Sequence, residues 1–169
     1  TPTSSRDAPT LEFLIKVYPE HDAVTEELHS LKPGHGLLLS EPFGTIRYRG
    51  PGTFIGAGAG VTPLLAILRH IDDPKELEKC ALLFSNKAPA DVICERELRH
   101  LLGDRCRLTC THASAPGYDD RRIDRSYLED NIGDALRTHY VCGPPGFVTN
   151  VVGALRDMGA DTDGIVIEK

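Results

Sequence analysis

The sequence lacks the clustered lysine and arginine that a nucleic-acid surface needs. Its 19 basic residues stand against 25 acidic ones, for a formal net charge of -6 and a pI near 5.6, whereas a phosphate backbone is met by basic stripes. The densest basic stretch, Arg121, Arg122 and Arg125, reads as a solvated face. No apolar run nears the roughly 18 residues of a membrane span, and no signal-peptide pattern opens the sequence. The five cysteines (Cys80, Cys94, Cys106, Cys110, Cys142) form no CxxC, and the seven histidines no HExxH. The pattern is that of reduced thiols in a cytoplasmic protein, without a disulfide frame or a metal site. Nor is there a Cys-x4-Cys-x2-Cys run to carry an iron–sulfur cluster.

What is present is glycine, concentrated at one place. The stretch GTFIGAGAGVTPLLAILRHI, residues 52–71, holds four glycines in its first nine positions and then turns apolar behind a proline. Glycine clears space for a ligand and accepts positive φ. Between a strand-like run and a helix, such a loop suits a phosphate, although tight packing of helix on strand would also favour glycine.

From residue 52 the pattern alternates. Strand-like runs at 52–56, 80–85, 106–111, 138–142 and 164–168 are separated by helix-like ones at 62–71, 91–102, 125–131 and 146–158. Alternation of this kind predicts an α/β fold, a doubly wound parallel sheet of five strands. The earlier part differs: LEFLIKVY alternates with period two, DAVTEELHSL has helical spacing, and LLLSEPFGTI returns as strand. RYRGPG at 47–52 reads as a linker between the two halves.

Two turns of this sheet are marked alike. After the first strand comes Gly56-Ala57-Gly58-Ala59-Gly60-Val61-Thr62-Pro63, with Thr62 expected as helix cap and Pro63 as first helical residue. After the fourth comes Cys142-Gly143-Pro144-Pro145-Gly146. In open α/β sheets ligands lie at the carboxyl ends of the strands, so the two turns bracket a crevice. A P-loop is excluded, because no Gly-Lys-Ser/Thr follows Gly56 at the required distance. The dinucleotide fingerprint Gly-x-Gly-x-x-Gly fails as well: reading from Gly58, Pro63 replaces its third glycine, and Ser85-Asn86-Lys87 stand where an acidic residue would end the second strand.

Gly58-x-Gly60-x-x-Pro63 followed by YVCGPPGF resembles the ferredoxin–NADP reductase family, in its small bacterial flavodoxin/ferredoxin reductase branch. The resemblance implies that Gly58, Gly60, Val61, Thr62 and Pro63 wrap the dinucleotide pyrophosphate. It also implies that Cys142 lies beside the hydride-donating carbon, with Gly143 and Pro144 shaping the nicotinamide pocket; otherwise Cys142 is a packed thiol. Residues 1–48 resemble the second half of the family's flavin-binding β-barrel, leaving 49–169 as the NAD(P)-binding domain. TPTSS is similar to the tail of Arg-x-Tyr/Phe-Ser/Thr, so Thr1, Thr3 and Ser4 are expected near the flavin, the Arg and aromatic being expected upstream. In DAVT, Thr25 matches a flavin-phosphate hydroxyl, while Asp22 stands where glycine is usual and is either a repulsive charge or an acid at a helix start. Glu168 matches the Glu of the family's closing strand, whose flavin-covering aromatic is expected beyond Lys169.

The family implies an FAD-dependent NAD(P)H oxidoreductase that passes hydride to the flavin and electrons singly to flavodoxin, ferredoxin or an oxygenase component. Ser85, Asn86 and Lys87, a hydroxyl, an amide and a cation, predict that NADPH is at least tolerated. The alternative is a non-catalytic nucleotide-binding regulatory or interaction module.

Overall fold

The computed structural model describes residues 1–4, 7–17, 24–41, 44–133 and 137–168. Its centre is a five-stranded sheet of β1 (Gly52–Ala57), β2 (Ala81–Asn86), β3 (Cys106–Cys110), β4 (Thr138–Cys142) and β5 (Ile165–Ile167), in the spatial order β3-β2-β1-β4-β5. Every pairing is parallel, with Phe54 opposite Leu82 on one side and Tyr140 on the other. Parallel strands require crossovers that return to the same edge, and helices supply them. These are α2 (Val61–Leu68), α3 (Pro74–Leu77), α4 (Glu95–Leu102), α5 (Arg125–Asn131) and α6 (Pro145–Asp157), preceded by α1 (Val24–His29) in the front segment. The α/β expectation is met, and four of the five crossover helices coincide with the helix-like runs.

Side chains alternate across each strand, so one sheet builds two cores. Phe54, Leu82, Phe84 and Tyr140 meet Leu64, Leu65 and Leu68 of α2 and Leu98 and Leu102 of α4. Ile55, Leu83 and Val141 meet Tyr127 and Leu128 of α5 and Val151 and Leu155 of α6. Full burial of each large side chain stabilises the fold by roughly 1.5–3 kcal/mol. Helix ends follow from single residues. Asp124 accepts from the Tyr127 amide at 2.9 Å to start α5, and such a cap contributes about 1 kcal/mol. Beyond α6, Gly159 at φ +92 lets the Ala160 amide reach back to the Leu155 carbonyl at 2.9 Å, closing the last turn.

One expectation changes. The front runs LEFLIKVY and LLLSEPFGTI form no ladder among the described residues; Pro2 and Phe13 make one isolated antiparallel bridge. A strand gains its hydrogen bonds only from a neighbour, and none of the described front residues offers one over any length. RYRGPG, read as the linker, is held against the sheet. The Tyr140 hydroxyl donates to the Gly50 carbonyl at 2.8 Å and accepts from the Arg49 amide at 2.7 Å, while Tyr48 donates to Glu76 at 2.9 Å. Arg69 ties residues 3–12 to the helices: its guanidinium grips Glu97 of α4 through two bonds of 2.6 and 2.8 Å and Glu12 at 2.6 Å.

Candidate functional site

The carboxyl ends of β1, β2, β3 and β4 open into a cleft of about 720 Å³. Gly58 and Gly60 line it from the first turn, Gly143 and Pro144 from the second, with Cys142 between. Ser85, Asn86 and Lys87 close its far side. The structure thus brings together eight of the residues singled out from sequence, from three separate segments.

Each glycine has its own reason. Gly58 sits at φ +53 with open space where a Cβ would be, a conformation that costs other residues roughly 1–2 kcal/mol. Gly60 is where the two turns touch: a Cβ there would stand 2.5 Å from the Cys142 carbonyl oxygen and 2.7 Å from the Gly143 Cα. Its lack of a side chain serves the joining of the turns as well as the clearance of a ligand. The helix begins earlier than the sequence suggests, because Gly58–Gly60 already form a 3-10 turn that runs into Val61. Thr62 therefore lies inside the first turn, its hydroxyl donating to the Ala59 carbonyl at 3.0 Å. Pro63 sits where no amide is required. Val61, Thr62 and Pro63 are buried behind the loop and do not line the cleft.

Asn86 carries the strongest sign of a ligand. It is 6% exposed, and neither its side-chain nitrogen nor its oxygen has a hydrogen-bond partner among the described residues. A buried amide left unpaired costs about 1–3 kcal/mol, so the group is free to pair with a ligand or an ordered water in the cleft. Cys142 is buried, and desolvation first, then the charge of Glu168, pushes its thiol up to about 11. It is a neutral, compact wall at neutral pH. Glu168 accepts from the Ile46 amide at 3.0 Å, which seats the front segment against the end of β5.

The front residues do not join this cleft. Thr3 is fully buried, and its hydroxyl donates to Glu12 at 2.7 Å. Thr1 is exposed and Ser4 half-buried. Thr25, in α1, has a buried hydroxyl oxygen without a partner among the described residues, while Asp22 lies outside them. Sequence reading missed Lys16, which lines the cleft from the front segment and pairs with Asp91 at 3.6 Å, and Thr111, which lines it from beyond β3. Only the fold brings those two there. Among the described residues no group of His, Cys, Asp or Glu could hold a metal ion, and no helix is long and apolar enough to cross a membrane.

Comparison with known proteins agrees with this geometry. The family described as oxidoreductase NAD-binding domain matches residues 54–153. NADH-cytochrome b5 reductase 2 of Gallus gallus is 29% identical over 88% of this chain, which spans 61% of that protein's length. The cytochrome b5 reductase domain of Ulva prolifera nitrate reductase superposes with a TM-score of 0.75 at 22% identity, covering 98% of this chain and 68% of that one. A ferredoxin NADP+ reductase from Neisseria gonorrhoeae with bound FAD and NADP gives 0.73 at 22% identity, covering 99% and 77%.

Proposed function

We propose, because the chain belongs to the oxidoreductase NAD-binding domain family and has the fold of the ferredoxin–NADP reductases, that it is the coenzyme half of an FAD-dependent NAD(P)H oxidoreductase. The observation that carries this reading is the meeting of two glycine turns and the unpaired amide of Asn86 in one cleft.

The residues fit a dinucleotide. The starts of α2 and α6, each the positive end of a helix, lie behind a pyrophosphate placed on Gly58–Gly60. Asn86 supplies a donor and an acceptor, and the nicotinamide end lies towards Cys142. The low profile and neutrality of Cys142 leave one face of the ring uncovered, and Gly143 and Pro144 fix its edge. Holding the ring in this way supplies orientation, which accounts for much of the rate of a transfer at contact distance.

The flavin side is less complete. Thr1, Thr3 and Ser4 do not converge with Thr25 among the described residues, and the Thr3 hydroxyl is committed to Glu12. FAD, when bound in the whole protein, takes up hydride and releases electrons one at a time. The acceptor in this reading is a small redox protein, of the flavodoxin, ferredoxin or oxygenase-component kind. The five free cysteines fit a reducing, cytoplasmic compartment.

The test is flavin absorbance in protein loaded with FAD, which bleaches on addition of NADH or NADPH under nitrogen. Coenzyme binding without bleaching would instead identify a regulatory nucleotide-binding module.

A further inference from the structure

The front segment enters the coenzyme sheet through residues 45–50, and this passage is built as a strap. Ile46 and Tyr48 pack on the core that holds Phe54 and Tyr140, while Arg47 and Arg49 are exposed, the alternation of an extended chain. The strap runs against the direction of β5. At the carboxyl end of that strand Thr45 donates to the Ile167 carbonyl at 2.9 Å and the Ile46 amide donates to Glu168 at 3.0 Å. At its other end the Arg49 guanidinium donates to the Asp163 carbonyl at 3.2 Å.

Tyr140 supplies the strap with what a neighbouring strand would. Its hydroxyl accepts from the Arg49 amide at 2.7 Å and donates to the Gly50 carbonyl at 2.8 Å, so one phenol pairs two backbone groups that lie outside any ladder. The ring is fully buried and stacks on Phe54, with centroids 4.5 Å apart, and on Tyr48 at 6.1 Å, which holds the hydroxyl in place. Tyr48 is itself fixed, donating to Glu76 of α3 at 2.9 Å. Just beyond, Gly50 turns at φ +120, and Gly52 leaves no room for a Cβ against the Thr138 carbonyl. The chain enters β1 without slack.

The pin and the nicotinamide wall share one strand. Tyr140 precedes Cys142 by two residues on β4, and both side chains face the same core, a separation of about 7 Å along the strand. Residues 3–16 have their own ties to the helices, through Arg69 and through Lys16 with Asp91. α1 and its Thr25 connect to the sheet through the strap.

Resting on the oxidoreductase reading of the cleft, we infer that Tyr140 is a positioning residue for the transfer of a hydride, two electrons and one proton, from NAD(P)H to FAD. Its hydroxyl pins the strap beside Cys142 and so fixes where a flavin carried by the front segment meets the nicotinamide. Tyr140 touches neither ring. The coenzyme lies on the sheet, so loss of the pin leaves coenzyme binding in place and shifts the flavin, and a displacement of roughly 1 Å costs on the order of a hundredfold in rate.

The experiment is Tyr140→Phe, which removes the hydroxyl and keeps the stacked ring. In the 169-residue chain, NMR-detected hydrogen exchange of the Arg49 amide should quicken about fivefold or more. Trypsin should cut sooner after Arg47 and Arg49, with circular dichroism unchanged. In protein loaded with FAD, stopped-flow reduction of the flavin by NAD(P)H should slow about tenfold or more, while calorimetric affinity for NADP+ and NAD+ stays within about twofold. Tyr48→Phe takes one phenol hydroxyl from the same stack but keeps both bonds of Tyr140, and should leave the Arg49 amide protected. An Arg49 amide still protected in Tyr140→Phe, an unchanged rate of flavin reduction, or a parallel loss of coenzyme affinity overturns the inference and leaves the coenzyme site standing. A wild type whose flavin does not bleach overturns the oxidoreductase reading and the inference together.

Discussion

Asn86 is a buried amide without a partner among the described residues, and its consequence is measurable without any turnover. Asn86→Leu keeps the volume and removes the unpaired polar atoms. The coenzyme-free chain should then melt a few degrees higher, at about 2–4 °C for each kcal/mol relieved, while the rise in melting temperature on adding NADP+ or NAD+ disappears. A lower melting temperature without coenzyme would show that the amide has a partner after all. Cys142 makes a different demand. Cys142→Ala should slow flavin reduction by NAD(P)H, on the order of tenfold or more from a displaced ring, while coenzyme affinity changes little; unchanged reduction returns it to the role of a packed thiol. Its titration also bears on stability. The folded value of about 11 lies above the ordinary 9.0, so ionisation favours the unfolded chain. The thiol's contribution is whole below pH 9 and is lost as pH climbs from 9 towards 11, which alkylation rates measured across that range will follow.

Turns and helices show how far local chemistry reaches. The glycine and proline signals at 56–63 and 142–146 were legible because a phosphate-facing turn is written in consecutive residues. The five strand runs were legible because their apolar periods are local as well. Lys16 and Thr111 were not, since each arrives by a loop path that only the finished sheet determines. Gly60 belongs between these cases, visible as a loop glycine but not as the joint of two turns. Gly60→Ala places a Cβ 2.5 Å from backbone, and the turns must part; a stability loss of about 1–3 kcal/mol should come with at least tenfold weaker coenzyme binding. Gly58→Ala meets open space and should cost only the roughly 1–2 kcal/mol of its positive φ. Equal effects of the two would refute the joint. Among the front residues, Glu12 is held below its ordinary 4.5 chiefly by the Arg69 hydrogen bond and then by Thr3. A lowered carboxyl stabilises above its unfolded value and lets go as pH falls through its folded one. Proteolytic nicking of residues 1–17 should therefore set in below pH 4.5 while the sheet persists, and Arg69→Met should show the same nicking at neutral pH.

The whole molecule is a finished coenzyme sheet with a front segment that has not closed on itself. Exposed Leu37, Leu38 and Leu39, together with Leu11 and Val24, mark where its apolar alternation finds no second layer among the described residues. The 169-residue chain should therefore elute from gel filtration without stoichiometric yellow flavin, yet bind coenzyme; a chain that stays yellow would mean that these residues suffice for FAD. The fold class was legible at this scale, whereas the strand runs read in the front segment form no ladder among the described residues, because a strand is defined by its neighbour whereas a helix carries its hydrogen bonds within itself.

The pairing of β1 with β4 sets the time at which the site comes into being. Gly56 lies beside Cys142 in the ladder, with two other strands of the sheet, their helices and their loops threaded between them in the chain. During synthesis the first turn leaves the ribosome long before the second, and a chain that has made β1, β2 and β3 has half a crevice and no nicotinamide wall. Closing so distant a contact is slow compared with forming its helices. The coenzyme cannot guide the early stages of folding; it can only select, among completed chains, those in which β4 has docked beside β1.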